Sequence, residues 1–74
     1  YYIGTSIYDS ERNIVKNNNY TNNRVGVFIS QFCKDNNICG NIFLNNGCGI
    51  EIHFSDFNTI LKNDFLNNIL NLLY

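Results

Sequence analysis

The sequence predicts an all-β chain coiled as a parallel β-helix, a solenoid of about three rungs of 22–23 residues plus the opening strand of a fourth. Two interleaved repeats predict it. Asn13, Asn36 and Asn58 are spaced 23 and 22 apart, and Val15/Ile38/Ile60, Asn18/Asn41/Asn63 and Tyr20/Phe43/Phe65 keep those intervals. The pairs Asn22-Asn23, Asn45-Asn46 and Asn67-Asn68 do the same. Between them a glycine-centred block recurs at Gly4, Gly26 and Gly49, spaced 22 and 23. Self-similarity at a period of roughly 20–50 residues marks a repeat architecture, in which each unit buries its apolar face only by stacking on the next.

The first strand of each rung surrounds the glycine. Ile3, Thr5 and Ile7 match Val25, Val27 and Ile29, then Cys48, Ile50 and Ile52, and Leu70, Leu72 and Tyr74 continue the column with Asn71 in the glycine place. Apolar residues at every second position describe a strand with one buried face. The rungs therefore run over about 3–24, 25–47 and 48–69, and 70–74 opens the fourth. A very short second segment is expected at Asn36-Asn37-Ile38 and a third at Asn41-Ile42-Phe43-Leu44. Clusters such as Lys34-Asp35-Asn36-Asn37 and Asn45-Asn46-Gly47 supply turn residues between them. The leucine-rich end falls in register with the strand columns and shows no capped helical period. Rungs stacked at about 4.8 Å place identical side chains above one another. Asn18, Asn41 and Asn63 should then form an amide ladder, and Tyr20, Phe43 and Phe65 a stack of rings. A leucine-rich repeat has an overlapping period. It wants three close leucines followed by a single Asn, whereas here the Asn precedes an aromatic and the columns hold Ile, Val, Phe and Tyr.

Composition agrees with an ordered single domain. The chain has 74 residues, 16 of them Asn, yet it is 45% hydrophobic and 15% aromatic, too apolar for a solvated low-complexity tail. A net charge of -1 leaves no basic stripe for a phosphate backbone, so no nucleic-acid partner is expected. The longest apolar run falls far below the ~18 residues of a membrane span, and no basic segment leads into a hydrophobic one, so no signal peptide is expected within these residues. Both ends read as cut from a longer chain, whose neighbouring rungs would be the segment's nearest partners.

The repeating unit, G-[VI]-x-[I], then N-x-[IV]-x-x-N-x-[FY]-x-N-N, resembles the right-handed parallel β-helix repeat of pectate-lyase-like proteins. It is most similar to the NosD-type repeats, also grouped as carbohydrate-binding and sugar-hydrolase β-helix repeats. The resemblance spans nearly the whole chain. It implies an extracellular, cell-surface or periplasmic setting. It also implies kinship with polysaccharide lyases and hydrolases, with surface adhesin-like proteins and with a periplasmic factor linked to copper delivery. A fold does not choose among these, so the choice rests on site residues.

The outward positions of the first strand are Ser6, Phe28 and Glu51 in one column and Tyr8, Ser30 and His53 in the next. In the resembling enzymes, substrate lies along such a face. Tyr8, Phe28, Glu51 and His53 are therefore the candidate residues for a polysaccharide or surface glycan, against the plainer reading of a mixed solvent face. Glycoside hydrolysis usually needs two carboxylates roughly 5–10 Å apart. Glu51 has no acidic partner in its column, and Asp9, Asp35, Asp56 and Asp64 form no column, so no catalytic residue is assigned here. Thiolates and imidazoles suit copper, but Cys33, Cys39, Cys48 and His53 are spaced 6, 9 and 5 apart and match no ligand motif, so neither a metal nor another cofactor is expected. Cys48 is expected inside and His53 outside. Three cysteines favour free thiols, with a Cys33–Cys39 bridge left open. Asn19-Tyr20-Thr21 matches a glycosylation sequon, as chance allows in an Asn-rich chain. The expectation is a non-catalytic β-helix segment of an exported or cell-surface protein with a structural or interaction role, carbohydrate binding being a candidate part of it. The alternatives are part of a polysaccharide lyase or hydrolase whose catalytic rungs lie elsewhere, and a periplasmic copper-maturation protein.

Overall fold

Each apolar block of the repeat folds as a strand and each polar cluster as a corner. The computed structural model describes residues 2–74. Its ten strands are β1 (Ile3–Tyr8), β2 (Ile14–Lys16), β3 (Asn19–Thr21), β4 (Val25–Ser30), β5 (Asn37–Cys39), β6 (Ile42–Leu44), β7 (Cys48–His53), β8 (Thr59–Leu61), β9 (Asp64–Leu66) and β10 (Leu70–Leu73). They form three parallel sheets, β1-β4-β7-β10, β2-β5-β8 and β3-β6-β9, and there is no helix among the described residues. The chain is a β-solenoid of about three turns.

The register explains the alternating period. Ile7 pairs with Ile29 at an interval of 22, but Glu11 meets Lys34 and Ile14 pairs with Asn37 at 23. The middle rung thus carries one extra residue between Ser30 and Lys34. The next rung drops it again: Ile29 pairs with Ile52 at 23, Asn37 with Thr59 at 22.

The corners share one device. Arg12, Asn17, Asn22, Asp35, Gly40, Asn45, Phe57, Lys62 and Asn67 all have φ between 57° and 69°. Each directly precedes an Asn of one of three ladders: Asn13/Asn36/Asn58, Asn18/Asn41/Asn63 and Asn23/Asn46/Asn68. In each ladder the Oδ1 of the later Asn accepts from the backbone N–H of the Asn one rung earlier, at 2.8–3.1 Å. The middle members, Asn36, Asn41 and Asn46, are buried. A left-handed residue turns the chain, and the Asn that follows ties the turn to its neighbours.

Ile7, Val15, Tyr20, Val27, Ile29, Cys33, Ile38, Phe43, Ile50 and Ile52 form one core. Through it runs a ring stack, Tyr20 on Phe43 at 5.2 Å and 14°, Phe43 on Phe65 at 5.0 Å and 9°. Cys48 is buried, as its place in the inward column of Ile3 and Val25 leads one to expect. Its thiol turns onto its own strand and donates to the Ile50 carbonyl at 3.3 Å.

Candidate carbohydrate-binding face

Alternation along β4 and β7 places Phe28, Glu51 and His53 on the outer face of the first sheet, and the parallel register sets them side by side. Phe28 pairs with Glu51, and Ser30 with His53. Residues two apart on a strand share a face, and the His53 imidazole Nε2 meets the Glu51 Oε2 at 2.5 Å. The Phe28 ring lies 5.4 Å from the imidazole, tilted by 44°. Phe54 continues the cluster at 6.4 Å from His53. Glu51 is the more enclosed of the pair, its side chain 16% exposed against 41% for His53.

The other expected residues fall differently. Tyr8 is exposed and lies in the His53 column, one rung beyond Ser30. It extends the face without joining the cluster. Ser30, expected to face outward, is buried, because its short side chain lies in register between the larger Tyr8 and His53. Glu51 pairs in register with Phe28 and Leu73, neither of them an acid.

The soft donors do not converge. The Cys33 thiol lies inside the solenoid and donates to the Ser30 carbonyl at 3.1 Å. Cys39 sits on β5 in the second sheet. Burial first, and then the nearby Glu51 charge, push the Cys48 thiol above its ordinary pKa, which disfavours the thiolate a metal would need. Among the described residues no three His, Cys, Asp or Glu side chains gather around one point. This donor set does not fit copper.

Sequence reasoning missed Phe32, Phe54 and Phe57, which stand exposed at the corner beside this face. Phe32 and Phe54 recur at the 22-residue interval and bond backbone to backbone across the rungs, a signal the period did carry, whereas Phe57 stands one rung on from Asp35 and matches no aromatic.

Comparison with curated proteins returned no match, and comparison with solved structures returned none either. A protein-family model described as periplasmic copper-binding protein (NosD) matches residues 2–74. It covers every described residue and agrees with the stacked parallel sheets. The chain belongs to the NosD family.

Proposed function

We propose that this segment is a non-catalytic length of a periplasmic or surface β-helix whose first sheet holds polysaccharide on Phe28, Glu51 and His53. The observation that carries the reading is the grouping of an aromatic ring, an imidazole and a carboxylate on one rigid outer face. A pyranose has an apolar C–H face and a rim of hydroxyls. The Phe28 ring suits the first, and the Glu51–His53 pair accepts from and donates to the second. The strands beneath are paired on both sides, so the groups are organised before a ligand arrives. Tyr8 offers a further ring and hydroxyl along the same column.

The reading is non-catalytic because no acid stands beside Glu51 in register to complete a hydrolytic pair. The family description supports an exported, periplasmic setting. The copper it names finds no fitting donor set on this segment, and no step is assigned to it.

Titration calorimetry against cello-, xylo- and mannohexaose and polygalacturonate tests the proposal. At least one should bind with Kd on the order of 0.1–1 mM. Phe28→Ala and Glu51→Gln should each weaken that binding about tenfold. Binding that both substitutions leave unchanged, or no binding at all, would remove the reading.

A further inference from the structure

The corner between the first and second sheets differs from the others. Elsewhere the left-handed positions hold mostly Asn or Gly, at Asn17, Asn22, Gly40, Asn45 and Asn67. Here three phenylalanines adopt that conformation, Phe32 at φ 60°, Phe54 at 51° and Phe57 at 60°. A bulky L-residue with positive φ is a genuine outlier with an energetic cost. Burial does not offset it, since the three are 76%, 73% and 81% exposed. The core at this corner is already filled by Cys33, which is fully buried.

Strain held at exposed aromatic positions is a reason to look for a ligand. The three Phe, together with Cys33, Lys34 and Asp56, line a shallow groove of about 180 Å³. Phe54 lies 6.4 Å from His53, so the groove continues the Phe28–Glu51–His53 face around the corner.

We propose that this groove is a second subsite for a neutral polysaccharide chain that lies across the sheet face and turns onto the corner. The inference rests on the sugar-binding reading of that face. Charge selects the occupant. Along the corner run Asp9, Glu11, Asp35 and Asp56 against Arg12 and Lys34, with Glu11 in register beside Lys34 and paired with Arg12, so acid outnumbers base four to two. That balance repels anionic lipid and nucleic acid. Aromatic faces separated by polar groups match a chain whose apolar sugar faces are rimmed by hydroxyls. The rings stack on the sugars while Lys34 and Asp56 meet hydroxyls at the edge.

The test replaces Phe32, Phe54 and Phe57 by Asn, singly and together, and measures thermal stability alongside binding of cellohexaose, xylohexaose and their disaccharides. Asn tolerates the left-handed conformation, so the variants should melt at or above the wild-type temperature. Hexasaccharide binding should weaken about tenfold, while in the Phe32→Asn and Phe57→Asn variants disaccharide binding at the sheet face stays unchanged. Lower melting temperatures would show the rings to be structural and overturn the proposal. So would unchanged hexasaccharide binding in the triple variant. If Phe28→Ala still weakened that binding about tenfold, the sheet-face reading would survive alone; if wild type bound no sugar, both readings would fall. Two further results would reassign the groove and overturn the proposal. One is wild-type self-association that the triple variant loses. The other is wild-type binding to phosphatidylglycerol vesicles.

Discussion

Asn41 shows what one side chain does in this fold. Its Oδ1 accepts from the Asn18 backbone N–H at 2.9 Å and from the Asn18 amide at 3.2 Å. Its own amide donates to Asn63 at 3.1 Å and reaches back to the Val15 carbonyl at 2.9 Å. One planar group with both donors and an acceptor thus ties together three rungs. Aspartate would lack the donors and stack like charges, and leucine would satisfy nothing. Asn41→Leu removes the acceptor of the Asn18 N–H and the donor to the Val15 and Cys39 carbonyls, while the Asn41 N–H still reaches Asn63 Oδ1; each orphaned group costs about 1–3 kcal/mol. The expected loss is therefore about 3 kcal/mol or more. Asn19 is exposed, and its side chain accepts from the Thr21 hydroxyl at 2.7 Å on its own strand. Asn19→Leu should change stability by no more than about 0.5 kcal/mol. Urea unfolding of the two variants measures the difference, and equal effects would mean that the ladder does not hold the corners.

At the scale of the element, the glycine column and the ring stack depend on each other. A Cβ on Gly26 would lie 2.6 Å from the Gly49 carbonyl oxygen and 2.6 Å from Phe43 Cδ1. The first is backbone of the next rung, and the second is a ring held between two others, so neither yields easily. Gly26→Ala should cost about 3 kcal/mol, as overpacking of a close-packed core does. Thermal unfolding measures it, and a variant as stable as wild type would show that the strand can shift away from the rings. The strands and the ring stack were legible in the sequence because an in-register parallel stack repeats residue identity at a fixed interval. The left-handed corners were not. Arg12, Asp35 and Phe57 share a conformation but no chemistry, and it is the stack above and below that imposes it. The Phe28–Glu51 adjacency could be read from alternation, and its union with His53 follows from the same face. The burial of Ser30 depended on the size of its neighbours, and at the phenylalanine corner the period marked only Phe32 and Phe54, 22 apart, while Phe57 follows Asp35 in its column.

At the scale of the molecule, each rung touches only the rungs beside it, so stability is close to a sum of nearest-neighbour terms. The middle rung is paired on both sides, and Val25, Val27, Ile29, Ile38 and Phe43 are at most 1% exposed. In the last turn Ile60 and Phe65, in register with Ile38 and Phe43, are only partly buried, and Leu70, in register with Cys48, is 47% exposed. This gradient bears on the candidate face, because Phe28 lies on the protected rung and Glu51 and His53 on the strand directly paired to it. A ligand seated there would rest on the least mobile part of the chain. Hydrogen exchange should resolve the gradient. Amides of β4, β5 and β6 exchange only when two interfaces open, so they should be slowest, and those of β8, β9 and β10 should be fastest. Uniform exchange across all ten strands would instead show one cooperative unit. The candidate face would then owe its order to the whole stack rather than to the rungs that carry it.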